Sequence, residues 1–417
     1  MKNLHSFIYF GLFIKHLIVQ CNTGDKYYSI ESRLFLENFY MFVAYGKFEQ
    51  LVLLTLNVES DLTTQSNSLL TTNKSQGINI LKHNIEFKLF DVDNTLYGHE
   101  FQDQVMVGPG FKTPLSNFNM ILSFQNNTFH KQISNLAFAH IITNTNHSLT
   151  YLLYEQGLIG KRTFCVEKRR GDRAMIHFGG LPPEIADEYN ATSRYLLTEV
   201  TNIKSKYWLI PLNSIYIGKS SKHVYDVSKY ETIISNSFYT LLPYDIMKNI
   251  IDGEFKEKLY ANKCSLNNDT TAIECDCDEI RNNTDEFGFV IGNKALVLNF
   301  SMLFRQFNEK RCLFMMKANF EKERQIKFGV QLQSLFLIEY DYDNHSVKFM
   351  SKSNDGIVNI YNGMFNIMAN PVRGIIQIII VVCFVFVVGF ILRKMYVNYK
   401  TRKVNKFKNY VEKFYSK

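Results

Sequence analysis

The sequence predicts a mostly β protein of two lobes with short helices, followed by one C-terminal transmembrane helix. Three observations carry this. The chain has 417 residues, too many for one compact core and enough for two lobes with extensions. Long helical periodicity is scarce, and short β-rich runs recur at 51–56, 105–107, 175–178, 207–217, 287–298 and 335–340, bounded by Asn, Asp, Gly or Ser. Near the C-terminus, residues 374–392 read GIIQIIIVVCFVFVVGFIL, close to the ~20 apolar residues that cross a bilayer as a helix.

Taken in order, Met1-Lys2 precedes an apolar run from Phe7 to Val19, interrupted by Lys15 and His16, which reads as a signal peptide over residues 1–22. Residues 26–200 are expected to form a first β lobe and 201–350 a second. Short helices are expected near Pro183–Tyr189 and Pro243–Ile251. Residues 351–373 read as a stalk, 374–392 as the membrane helix, and 393–417 as a basic cytoplasmic tail.

Charge supports this order. The net charge is +8, and residues 393–417 alone hold nine Lys/Arg against the single acid Glu412. The rest of the chain is therefore balanced, which removes the electrostatic footing of a nucleic-acid partner. Positive residues stay on the cytoplasmic side, so the expectation is a single-pass type I membrane protein anchored through residues 374–392. Its ectodomain would be lumenal or extracellular.

An oxidising compartment admits disulfides. Cys21 and Cys383 fall at the chain's two extensions. Cys264, Cys275, Cys277 and Cys312 cluster, and four cysteines allow three pairings. Cys264–Cys275 with Cys277–Cys312 closes adjacent short and long loops without crossing, leaving Cys165 as a buried thiol. Eight Asn-x-Ser/Thr sequons begin at Asn73, Asn126, Asn146, Asn190, Asn268, Asn282, Asn299 and Asn344, in keeping with a glycoprotein. Cys275-Asp-Cys277 lacks the companion His or Cys pair of a zinc site, so no metal or other cofactor is expected. No HExxH spacing, Gly-rich phosphate loop or Gly-x-Ser-x-Gly elbow occurs. Arg170-Gly171-Asp172 falls between β-runs, where Gly-Asp makes an ordinary turn.

Four stretches, in order, then point to one family. YWLIPLNSIYIG (207–218) is similar to a YWxVxLxxIxVG strand pair, at both aromatics, Leu212, Ile215, Ile217 and Gly218. GHEFQDQVMVG (98–108) is similar to Gly-x4-Asp-x-Val-x2-Gly through Gly98, Asp103, Val105 and Gly108. IHFGG (176–180) matches a strand ending in Phe-Gly-Gly, and YDYDNHSVKF (340–349) resembles FDxxNxxVGF, with Lys348 where Gly is usual. Over about residues 26–350 the chain thus resembles the pepsin-like aspartic proteases. That resemblance implies two β-rich lobes, each contributing one Asp-Thr/Ser-Gly loop to a cleft. It also implies a mechanism in which two neighbouring carboxylates share a proton and hold a water.

The chemistry itself is altered. LNVES (56–60) aligns with LDTGS, so Asn57 takes the Asp position, Val58 the Thr, Glu59 the Gly, and Ser60 remains. Asn has nearly the shape of Asp but no titratable carboxyl group and cannot act as general base. TIISNSFYTLLP (232–243) aligns without gaps to IIDSGTSxxxLP, placing Ile234 in the Asp slot, Ser235 and Ser237 at hydroxyl positions, and Asn236 as an αL-tolerant stand-in for Gly. A shift by one residue places Ser235 in the slot instead. Neither register supplies an acid. In the flap, Phe90-Asp91-Val92-Asp93 replaces Tyr-Gly-Asp-Gly, so Phe90 lacks the phenol hydroxyl. Asp61 lies ~13 Å along an extended chain from Asn57, and Glu59 occupies a position where Gly is expected.

The resemblance therefore implies a catalytically inactive, peptide- or protein-binding ectodomain, with Ser60, Phe90, Ser235 and Ser237 lining the cleft. The alternatives are an active aspartic-type endopeptidase with a non-standard dyad, and a structural surface protein.

Overall fold

The computed structural model describes residues 26–35, 38–45, 50–66, 79–87, 96–107, 113–123, 135–169, 173–190, 195–218, 223–267, 271–281, 283, 285–292, 294–320, 324–350, 358–362 and 393–394. Phe90, the Arg170-Gly171-Asp172 turn, the signal segment 1–22 and the apolar run 374–392 lie outside the described residues. Among the described residues, no helix is long and apolar enough to cross a membrane.

The fold is mostly β and bilobal. Strand alternation writes most of it: Tyr195–Glu199 (YLLTE) alternates exposed and buried positions along its length, as a half-buried strand does. Six antiparallel strands tie the halves of the chain together, in the order Tyr195–Glu199, Ser346–Met350, Leu337–Asp341, Thr163–Lys168, Arg173–Phe178 and Tyr28–Phe35. Ile338 lies opposite Val166 at their junction. The same sheet continues into the first lobe through Asn38–Tyr45 and Gln50–Asn57 to Asn79–Phe87, making thirteen strands among the described residues. The second lobe is built from two five-stranded sheets and one four-stranded sheet.

Two sequence expectations change in detail. The run 207–217 is broken at Pro211, which has no N–H to donate. Leu209–Ile210 enters one second-lobe sheet and Leu212–Ile217 another. Val358–Asn362, inside the expected stalk 351–373, is instead an edge strand beside Lys294–Asn299. Its VNIYN sequence is rich in the β-branched and aromatic residues that complete a sheet.

Two of the motifs that carried the resemblance, 207–218 and 340–349, meet in one aromatic cluster. Trp208 is fully buried and its indole N–H donates to the Phe138 carbonyl at 2.9 Å. Phe164 stacks on Tyr340 at 4.4 Å, and Tyr340 and Tyr342 each stand 5.2 Å from Trp208. Residues of both halves thus pack into one core, each aromatic pair adding about 0.5–1.5 kcal/mol beyond its buried area.

Strands Cys264–Asn267, Ala272–Asp276 and Arg311–Phe314 set Cys264 opposite Cys275, and Cys275 opposite Cys312. The disulfides are Cys264–Cys275 and Cys277–Cys312. Cys165 is a buried free thiol whose Sγ donates to Glu339 at 3.7 Å; burial pushes it well above its ordinary range.

Candidate functional site

The first loop starts where the strand Gln50–Asn57 runs out. Parallel pairing with Asn135–Ala137 sets Asn57 against Ala137. Asn57 Oδ1 accepts the Glu59 N–H at 2.9 Å, a local Asx turn that closes the chain on itself. Ser60 continues the turn, its hydroxyl donating to the Leu62 carbonyl at 2.8 Å. The Thr63 hydroxyl accepts the Ala137 N–H and donates to the His147 carbonyl.

His147 in turn touches Glu100 at 3.2 Å, beside Asn119 and Lys82. The His147 hydrogen bond, helped by His147 charge, Asn119 and Lys82 and opposed by burial, draws the Glu100 carboxyl down to about 2. Residues 57–61 are all buried, Asn57 most nearly at the surface with 9% exposed.

The second loop follows the strand Glu231–Ile234, parallel to Gln325–Phe328 with Ile234 against Phe328. Hydrogen bonds relate the two loops. Ala139 N–H donates to Ser60 O at 3.0 Å and Gln331 N–H to Phe238 O at 3.4 Å. Ala137 N–H donates to Thr63 Oγ1 and Gly329 N–H to Thr240 Oγ1, both at 3.1 Å. Ala137 is therefore the counterpart of Gly329, and Asn57 the counterpart of Ser235.

This displaces the gapless register by one residue. Ile234 has no exposed surface and occupies the ladder position that Leu56 holds in the first lobe. From slot to threonine the second loop is one residue shorter, Ser235 to Thr240 against Asn57 to Thr63. A gapless alignment cannot register that deletion. Asn236 also differs from its expected role. It is not among the residues with positive φ, and neither is Glu59, so neither position uses a left-handed backbone.

What Asn236 does instead is cross between lobes. Its Oδ1 accepts the Val58 N–H at 3.1 Å and its Nδ2 donates to the Leu56 carbonyl at 2.7 Å. Glu59 crosses the other way. Its Oε1 accepts the Asn236 N–H at 2.9 Å and the Ser235 hydroxyl. Ser237 Oγ stands 2.9 Å from Ser235 Oγ, and the Ser237 N–H donates to that same oxygen at 3.0 Å. From behind, Gln333 Nε2 donates to the carbonyls of Ser235 and Phe328 at 2.6 and 2.7 Å.

Of the residues singled out from sequence, Asn57, Ser60, Ser235 and Ser237 belong to these two facing loops. Ile234 lies one layer below them. Asp61 does not join them: its Oδ2 accepts the Thr143 hydroxyl at 2.7 Å and faces Lys206 at 3.7 Å. The bridging functions of Glu59, Asn236 and Gln333 were not foreseen. The only signal for them was Ser-Asn-Ser between the apolar runs TII and LLP, opposite an acid in a tight turn.

Chemically, among the described residues, the facing loops bring together one carboxylate, from Glu59, with an amide at Asn57 and a hydroxyl at Ser235. A pair of acids dividing one proton needs two carboxylates in contact, and this arrangement supplies hydrogen bonds instead.

Comparison with known proteins places this geometry. A family model described as eukaryotic aspartyl protease matches residues 56–352. Among solved structures, the aspartic proteinase from Irpex lacteus is similar, with a TM-score of 0.62 at 15% sequence identity, covering 78% of this chain and 98% of that one. No curated protein sequence matches.

Proposed function

The chain belongs to the eukaryotic aspartyl protease family, and we propose that it keeps the two-lobed frame as a peptide- or protein-binding module without the proton chemistry. One observation carries this reading. Where two acids would share a proton, the Glu59 carboxylate is engaged by the Ser235 hydroxyl and the Asn236 N–H, between an amide and an alcohol that cannot titrate. An extended segment held between lobes gains affinity from backbone hydrogen bonds and side-chain pockets.

The test uses the full-length protein in detergent. It is incubated with a peptide library at acid pH, with and without pepstatin, and binding is followed by fluorescence anisotropy. Saturable binding without cleavage is the expected result. Pepstatin-sensitive cleavage would overturn the reading.

The position of Glu59 favours a second reading, in which this single acid acts as a substitute base on a water near Ser235. Glu59→Gln separates the two. Any cleavage that depends on Glu59 would vanish in this variant, whereas peptide binding by a non-catalytic module would persist.

Membrane anchoring belongs to the same proposal, with residues 374–392 spanning the bilayer and the lobes on the lumenal or extracellular side. The two disulfides support an oxidising location. Alkaline carbonate extraction should leave the chain in the membrane pellet, and protease added to sealed vesicles should remove only the basic tail. Release into the supernatant would refute the anchor.

A further inference from the structure

A second polar cluster lies on the long sheet, away from the two facing loops. Strands Tyr28–Phe35, Arg173–Phe178 and Thr163–Lys168 are neighbours there. Ile30, Ile176, Phe178, Phe164 and Val166 belong to the main core. Side chains alternate across a strand, so Ser29, His177, Cys165 and Glu167 occupy the opposite face. On that face Tyr189 and Ile185, from the helix Pro183–Asn190, share a small cluster with Cys165. Register sets Ser29 opposite His177 and His177 opposite Cys165, with Glu167 the next residue of its strand on the same face.

Ser29 Oγ stands 2.8 Å from His177 Nδ1, and His177 Nε2 stands 3.3 Å from Glu167 Oε2. Arg169 Nε donates to the same carboxylate oxygen at 3.2 Å. Burial opposes ionisation of Glu167, but the His177 hydrogen bond and Arg169 outweigh it and hold its carboxyl below the ordinary range. A carboxylate only accepts, so Nε2 carries the ring proton of neutral His177 and Nδ1 offers its lone pair to the Ser29 hydroxyl. His177 and Glu167 are buried, and Ser29 is half-buried. A partly exposed serine, a buried base in contact with it and an acid that fixes the base's tautomer together make an activated nucleophile. Such a constellation is recognised by geometry and roles rather than by a sequence motif.

We propose that Ser29, His177 and Glu167 form an acyl-transfer site that hydrolyses carboxylic esters with short acyl groups. Ser29 Oγ attacks the acyl carbon while His177 Nδ1 takes the hydroxyl proton, and Glu167 stabilises the imidazolium that forms. The bond to the alkoxide breaks, and the alkoxide takes the proton from Nδ1 and leaves as the alcohol. Water then attacks the acyl carbon and gives one proton to Nδ1. The carboxylic acid departs as that proton returns to Ser29 Oγ. Both partners of Ser29 are buried, so only an unhindered acyl group has room to reach the hydroxyl. The site does not depend on what the two facing loops bind. The competing account is that the cluster only satisfies its own buried polar atoms.

Two measurements on the full-length protein in detergent test it. In the first, the protein is treated with a fluorophosphonate and mapped by peptide mass spectrometry. The P–F bond should break as phosphorus joins Ser29 Oγ, in the folded chain and not after unfolding in urea. Ser29 left unmodified in the folded chain overturns the site. Equal modification in urea also overturns it, because the reactivity would not then come from the fold. Pepstatin should leave the modification unchanged, and a block by pepstatin would place the reaction at the facing loops instead.

In the second measurement, hydrolysis of p-nitrophenyl acetate is followed by release of p-nitrophenolate. Rates are compared per folded molecule, with the folded fraction of each variant taken from its urea curve. Ser29→Ala should abolish the protein-dependent rate, and His177→Gln should lower it about 100-fold, the size of general-base assistance. Glu167 acts through His177 as a positioning residue. Glu167→Gln should therefore change the pH dependence of the rate, which a purely structural role would leave in place. A parent-like rate in Ser29→Ala or His177→Gln overturns the proposal, and an unchanged pH profile in Glu167→Gln overturns the triad.

Discussion

At the scale of single residues, Glu59 and Asn236 hydrogen-bond across the two facing loops. Asn236→Ala leaves the Val58 N–H and Leu56 carbonyl without their partner and should destabilise the protein by about 2 kcal/mol, read as a lower midpoint in urea. Asn236→Asp should cost more. It cannot donate to Leu56, and it sets a second negative charge beside the Glu59 carboxylate. An unchanged midpoint in both variants would show that the crossing bonds carry no net stability.

Glu100 gives a pH signature. Its carboxyl is held below its ordinary 4.5, at about 2, chiefly by the His147 hydrogen bond. The folded state therefore binds this proton less readily than the unfolded chain. The stabilisation is full above about pH 4.5 and is lost as pH falls toward about 2. Glu100→Gln should flatten this part of the stability–pH curve. A variant whose acid limb matches that of the parent would rule out Glu100 as its source.

At the scale of elements, cross-strand fit limits what the second lobe tolerates. Gly288 lies opposite Tyr216 on strands Glu286–Ile291 and Leu212–Ile217. A Cβ placed on Gly288 would come within 1.8 Å of the Tyr216 ring, so the ring lies directly over the glycine. Gly288→Ala should cost about 2 kcal/mol or more through overpacking. The double variant Gly288→Ala with Tyr216→Leu should recover part of it, because the clash is with the ring. Equal midpoints for Gly288→Ala and the parent would mean that the ring moves aside freely.

Much of this level was legible. The β-rich run 287–298 lies on the paired strands Glu286–Ile291 and Lys294–Asn299, and cysteine spacing gave the pairing that the two disulfides make. Pro211 splitting one apparent run into two sheets was written in the sequence but outweighed by its continuous apolar character. The one-residue deletion in the second loop was not legible, because both registers leave plausible hydroxyl residues in line. The matched bonds from Ala137 N–H to Thr63 and from Gly329 N–H to Thr240 separate them.

At the scale of the whole molecule, the observed register predicts which two positions would hold a facing pair of acids. Asn57→Asp with Ser235→Asp puts a carboxylate at each counterpart position, and Glu59→Gly removes the side chain that crosses between them. The triple variant should bind pepstatin at acid pH by calorimetry, and Asn57→Asp with Ile234→Asp should not. The reverse pattern would return the second slot to Ile234.

The sequence by itself determined the class of architecture, the family resemblance and the loss of acids from both candidate slots. Those follow from residue identity and short-range periodicity, which any window of the chain displays. Only the tertiary structure decided that Ser235 rather than Ile234 faces the first loop and that Glu59 reaches across to it. Each of these depends on residues far apart in the chain being placed within a few ångströms by sheet register and lobe packing, and no local pattern encodes that placement.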